Sequence, residues 1–407
     1  MKTITKFEYE PILESDVDNF TDLERFVLEN NAHGADALEL MSLSAKKGCG
    51  KMITPKNYVG VIKFKNGIEI EILPKIGKII NEAATRRIFM RMLKSVYDLP
   101  FKEFDVAELD SNKISPFEFF VRMYIDTVFK LIKTGLCCAY YDVEGNETFL
   151  KGKLNFTQDI RFNAAHRERF FIEHQLFGEN RSENRLIKST SEYLYRMTSN
   201  DRNKKDLNIV LSQLELVESS SDIEADFDTV CIDRGMKLYV DVIKWCDLFL
   251  HNKSFTTFSG CNIAYSFLFP MDKLYEAYVA KFIKRILGKT QDVLIQDRST
   301  HLFDDRCGPK IRPDVMIKSK DKTIIIDTKW KLLDSVNDVS VSDLYQMYVY
   351  SVKYNAEETI LLYPKFGGAE ESYSDSINSV NVSVRFVDMY DLENSLADIA
   401  MLLSAEF

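Results

Sequence analysis

Apolar and polar positions change period along the chain, and the changes mark out elements. Thr21, followed three residues later by Glu24, is a capping box that opens a short helix, TDLERFVLENN. The segments 58–65 and 68–73, YVGVIKFK and IEIEIL, alternate with period two and are rich in β-branched residues. Between them stands Asn66-Gly67, the strongest two-residue turn signal, so the pair predicts a β-hairpin. Helices are predicted over 82–97 and 116–133, the second ended by Thr134-Gly135. Two amphipathic runs, LNIVLSQLELVE (207–218) and MKLYVDVIKWCDLFLH (236–251), predict further helices on either side of a polar break at 219–228.

From residue 270 the pattern sharpens. PMDKLYEAYVAKFIKRILG has Pro at its head, Gly at its tail and an apolar stripe at helical spacing. VLIQDRS (293–299) reads as a strand and HLFDDRCGPK as a polar loop. VMIK (315–318), the turn SKDK and TIIID (323–327) follow, then a helix over 340–354 and a buried strand, ETILLYP. The order α-β-β-β-α-β predicts an α/β layer around a mixed sheet, so the fold class is α/β in a mixed α+β chain. Three regions are expected: a mixed α/β domain over 1–150, a basic and helical region over 151–255, and the α/β domain over 256–407.

Composition narrows the class. With 407 residues, 45% hydrophobic, 12% aromatic and only 16 Gly and 9 Pro, the chain reads as globular, not fibrous or disordered. The start, MKTITKFEYE, lacks the apolar core of a signal peptide, and no apolar run approaches a membrane span, so a cytoplasmic protein is expected. The seven cysteines form no CxxC pair and read as scattered thiols. Net charge is −9, whereas a lone sequence-specific DNA reader is usually basic. A nucleic-acid role therefore needs a local patch or a partner. Residues 151–205 hold twelve Lys or Arg against seven Asp or Glu, a local +5 that includes Arg161, Arg167, Arg169, Arg181 and Arg185. Two readings of that excess stand open: a solvated helix face, or a surface for phosphate or a partner. The chain has no G-x-x-x-x-G-K-[ST] loop with which to hydrolyse a nucleotide as a P-loop motor.

Polar groups at the ends of two predicted strands carry the candidate chemistry. Asp314 heads one strand and Asp327 ends the next, with Lys329 two residues on. Antiparallel pairing across the short turn brings the two carboxylates to one edge, and period two places Asp327 and Lys329 on one face. Two carboxylates about 4 Å apart repel by roughly 4 kcal/mol at an effective dielectric near 20. A hard cation relieves that, and Mg²⁺ takes one or two carboxylates plus waters and substrate phosphate. The chemistry implied is metal-assisted phosphodiester hydrolysis. D-x-K alone recurs by chance. The combination with a Pro-Asp head, an apolar strand and the helix DLYQMYVY is more specific.

RPDVMI…IIIDTKWK…SDLYQMYVY resembles the PD-(D/E)XK nucleases, and in particular McrC, the nuclease subunit of McrBC-type modification-dependent restriction systems. The segment YVGVIKFKNGIEIEILPKI, LKGKL (150–154) and NRLIKS (184–189) resemble further landmarks of the family, with LlaJI-like relatives inside the same broad group. The resemblance implies Asp314 and Asp327 as metal ligands, Lys329 as the catalytic lysine, and Gln346 with Tyr350 as a Q-x-x-x-Y helix beside the active centre. Tyr350 has core filling as its rival reading. Glu276 matches the acidic residue such folds often carry on their first helix, against a plain solvated reading. It further implies Mg²⁺, with Mn²⁺ as substitute, double-stranded DNA with modified cytosine as substrate, and a McrB-like AAA+ GTPase partner. A division follows in which residues 1 to about 255 engage the partner and 256–407 cut. The rivals are another nuclease of this fold, such as a RecB-like repair type, and a non-catalytic adaptor of an AAA+ motor.

Overall fold

A computed structural model of the chain describes residues 2–17, 19–31, 40–47, 50–64, 68–78, 81–97, 116–233, 235–251, 264–303, 308–319, 322–333, 338–365, 371–375 and 380–405. The class is mixed α/β, as the periodicities require. The chain divides into two compact units, one built from residues 1–113 together with 255–407, the other from 114–254. No helix among the described residues is long and apolar enough to cross a membrane.

The first unit begins with β1 (Lys2–Phe7), β2 (Ile12–Leu13), β3 (Met41–Lys46), β4 (Gly50–Pro55), β5 (Tyr58–Phe64) and β6 (Ile68–Leu73). The hairpin strands β5 and β6 pair antiparallel, as expected; the turn Asn66-Gly67 lies outside the described residues. Two pairings were not foreseen. β1 runs parallel to β6, and β10 (Ala264–Pro270) runs antiparallel to β5 from Ala264↔Phe64 to Pro270↔Tyr58. Gly60 permits the second: a Cβ there would lie 1.9 Å from the Phe267 carbonyl oxygen. β6 is buried on both sides, although IEIEIL alternates. Its Glu71 is covered by Arg86 of the helix Glu82–Tyr97, whose guanidinium donates to both carboxylate oxygens at 3.0 and 2.7 Å. The helix Phe20–Asn31 starts one residue before Thr21, with the Asp22 amide donating to Asn19 O, so Asn19 and not Thr21 stands at the cap.

The remaining strands of this unit are β11 (Asp292–Ile295), β12 (Val315–Lys318), β13 (Thr323–Thr328), β14 (Glu358–Lys365), β15 (Glu371–Asp375) and β16 (Val380–Asp388), in the sheet order β11-β12-β13-β14-β16-β15. β12 and β13 are antiparallel; β13, β14 and β16 are parallel. The apolar runs of β13 and β14 suit strands buried on both faces. Met316, Ile325, Leu361 and Val384 pack under Met347 and Tyr350 of the helix Val341–Tyr354. The strand expected over 293–299 stops at Ile295, because Gln296 takes a left-handed φ of 49°.

The second unit carries β7 (Ala139–Glu147), β8 (Lys153–Leu154) and β9 (Phe170–Gly178), ordered β7-β9-β8, and a helical group. The helix Pro116–Thr134 ends as expected, with Gly135 at φ 91°. The helix expected over 207–218 instead spans Asp201–Gln213, because the Asn200 side chain caps it, accepting from the Arg202 and Asn203 amides. The three-region division of the chain is therefore redrawn. Residues 1–113 pack with the C-terminal region because β10 completes the sheet that the hairpin begins, and the boundary expected at 150 falls inside the second unit.

Candidate active site

The site is assembled at the end of β12 and β13 where the two strands part. Val315 pairs with Ile326, so Asp314 and Asp327 face each other one residue beyond the last register pair. Asp314 accepts from the amide and the hydroxyl of Thr328, both at 2.8 Å, which ties its carboxylate to the adjoining strand. Asp327 is 2% exposed, and Lys329 Nζ stands 2.5 Å from its Oδ2. That contact is a close charge-assisted pair, which sets the ammonium against the buried carboxylate.

The helix Val341–Tyr354 supplies the next shell. Gln346 Oε1 accepts from Lys329 Nζ at 2.9 Å, and Gln346 Nε2 donates to the Tyr350 hydroxyl at 2.8 Å and reaches Asp327 Oδ1 at 3.4 Å. The Tyr350 hydroxyl in turn donates to the Arg312 carbonyl at 2.9 Å. The Tyr350 ring is buried in the core, as its rival reading expects, and its hydroxyl accepts from Gln346. Glu276, on the helix Met271–Leu287, is 6% exposed, so the solvated alternative fails for it. It accepts from Gln296 Nε2 at 2.5 Å and pairs with Lys273 at 3.0 Å. Gln296 was missed from sequence, since its left-handed turn at a strand end leaves no mark on periodicity.

The electrostatics follow from crowding. Burial, reinforced by the Asp327 and Glu276 carboxylates, pushes the Asp314 carboxyl up to about 7. Burial also raises Asp327, with the Lys329 ammonium working against it. For Lys329, burial opposes the charge, but Asp327 outweighs it and the ammonium is held above its ordinary range. Burial likewise opposes ionisation of Glu276, but the Gln296 and Lys273 bonds prevail and lower it. These groups border a cavity of about 860 Å³.

The donor set suits a hard cation. Asp314 and Asp327 line one cleft as an all-oxygen pair, and each raises the cost of the other's charge, as Glu276 does for both. Among the described residues no three His, Cys, Asp or Glu side chains converge as a closed cage would need. A cation here would complete its shell with water and substrate, the habit of Mg²⁺.

The five arginines singled out in the basic stretch do not share one environment. Arg181 is paired with Glu183, and Arg185 with Asp226, within the second unit. Arg161, Arg167 and Arg169 are exposed on and just beyond the helix Phe156–Asn163.

None of the curated proteins matches the chain. Among solved structures, a chain of the refined half-complex from a tetradecameric assembly of Thermococcus gammatolerans McrB AAA+ hexamers with bound McrC aligns over 100% of both chains, at 18% identity and a TM-score of 0.70. That likeness establishes a shared fold. A chain of the cryo-EM structure of the Thermococcus gammatolerans McrBC complex aligns over 70% of this chain and 88% of its own, at 20% identity and a TM-score of 0.48. The family model described as McrBC 5-methylcytosine restriction system component matches residues 53–364, well over half the sequence, and the chain belongs to that family.

Proposed function

We propose that this chain is the nuclease subunit of a McrBC-type restriction system, hydrolysing phosphodiester bonds in double-stranded DNA that carries modified cytosine. One observation carries the reading: Asp314, Asp327 and Lys329 meet in a single cleft, with Gln346 bridging the lysine to Asp327. Asp314 and Asp327 would hold Mg²⁺ or Mn²⁺, which when bound polarises the scissile phosphate and acidifies a water. Thr328 keeps the Asp314 carboxylate turned to the cleft. Lys329 stays protonated and brings positive charge to the phosphate oxygens as they gain negative charge. Gln346, itself held by Tyr350, fixes the direction of the ammonium.

A McrB-like AAA+ GTPase is the proposed partner. The structurally similar chain comes from an assembly of McrB hexamers with bound McrC, and this chain lacks a P-loop of its own. The second unit offers a surface of the right character: Phe156, Ile160 and Phe162 are 70%, 71% and 53% exposed beside the exposed Arg161. Solvated apolar groups of this size rimmed by positive charge mark interaction sites. The test combines the chain with its partner, GTP, Mg²⁺ and methylated duplex DNA. Cleavage is expected to stop in EDTA and to be abolished by Lys329→Ala or Asp327→Ala with the fold retained. Near wild-type cutting by either variant refutes the site.

A further inference from the structure

The turn after β1 reaches the same cleft from the opposite end of the sequence. Glu8, Tyr9 and Lys75 border it together with Asp314, Asp327 and Lys329. Tyr9 adopts a φ of 59°, a left-handed conformation that costs a bulky L-residue strain and persists only where its surroundings impose it. Here they do. The amides of Glu8, Tyr9 and Glu10 donate to Leu73 O, Pro55 O and Phe7 O at 2.9, 2.9 and 3.0 Å. Glu10 Oε2 accepts from the Phe7 amide at 3.0 Å.

Glu8 then ties this turn to the residue after the lysine. Its Oε2 accepts from the Lys75 amide at 2.8 Å and from Trp330 Nε1 at 3.1 Å, while Lys75 Nζ donates to the Trp330 carbonyl at 2.5 Å. The result of this bracing is an aromatic ring kept out of the core. Tyr9 is 48% exposed, and the Lys75 ammonium stands 5.4 Å from its centroid. A packing role would bury the ring, and a turn role would favour Gly or Asn at this φ.

We propose that Tyr9 is a substrate-contacting residue: its ring packs on the nucleic-acid strand entering the cleft, beside the phosphate to be cut. This rests on the nuclease reading above. An exposed ring beside an ammonium suits a nucleic-acid strand, the cation meeting a phosphate while the ring packs on the adjoining sugar or on a base freed from pairing. The Glu8–Trp330 link sets the distance between that platform and Lys329.

The experiment uses the full chain with its AAA+ partner, GTP, Mg²⁺ and methylated duplex DNA, reading KM and kcat. Tyr9→Ala should raise KM about tenfold and leave kcat within about twofold, and Tyr9→Phe should behave as wild type. Tyr9→Gly should show the same rise in KM with a melting temperature equal to or above that of the wild type, because glycine accepts the left-handed turn without strain. A structural role predicts the reverse for glycine, full activity with the turn relaxed. Unchanged KM in both the Ala and Gly variants, or a loss confined to kcat, overturns the assignment. Lys329→Ala in the same assay separates the failures. If it still cuts, the nuclease reading falls and this one with it; if it is dead while Tyr9 variants are unaffected, only the Tyr9 contact is wrong.

Discussion

Replacing Asp314 by Asn should make the metal-free protein more stable at neutral pH and remove its response to Mg²⁺. Asn retains an oxygen for the Thr328 amide and hydroxyl, so the local hydrogen bonds survive. What it removes is charge in a buried cluster with Asp327 and Glu276. The folded-state carboxyl titrates near 7 against an ordinary value of 3.8. Between those values the folded chain binds a proton that the unfolded chain has released, so wild-type stability falls as pH rises through that window and levels off above it. At 1.36 kcal/mol per unit of displacement the loss is on the order of 4 kcal/mol. For a unit of this size it corresponds to a melting-temperature difference of roughly 5–15 °C. In EDTA, the variant should melt above the wild type by about that amount near pH 8, and the gap should close toward pH 4. Added Mg²⁺ should stabilise the wild type by mass action and the variant far less. A variant no more stable than wild type near pH 8 in EDTA would refute the repulsive cluster, and an equal response to Mg²⁺ would refute Asp314 as a ligand.

Gly60→Val should cost several kcal/mol, since a Cβ at that position meets the Phe267 carbonyl at 1.9 Å; chemical denaturation would show it, and a neutral result would sever β10 from β5. Arg86→Ala should destabilise by about 3–5 kcal/mol by leaving the buried Glu71 carboxylate without its cation, measured in the same way, whereas breaking the exposed Lys51–Glu24 pair should matter far less. Residues 256–407 expressed alone should lack a cooperative unfolding transition, because β10 loses its partner strand and Trp330 its acceptor Glu8. A sharp melt for that fragment would restore the division of the chain at residue 256.

The periodicities already contained the hairpin strands, the helix Met271–Leu287 and the succession from β11 to β14, because each of these buries one face or both and its composition says so. The antiparallel turn between β12 and β13 likewise made the meeting of Asp314 with Asp327, and of both with Lys329, legible from spacing alone. Long-range pairing was not legible. Nothing in IEIEIL says that its glutamate face will be covered by Arg86 and its edge by β1, since alternation reports polarity and not whether a partner neutralises it. Nor does a local window show that β10, two hundred residues away, completes the sheet begun by β5. Gln296 and Tyr9 share a further reason for concealment: both depend on a left-handed backbone, imposed by neighbours distant in sequence, at residue types that signal no turn. Local pattern follows from the chain's own hydrophobic spacing, whereas the walls of the cleft depend on which remote segments find each other, and that is settled by packing and hydrogen bonding in three dimensions.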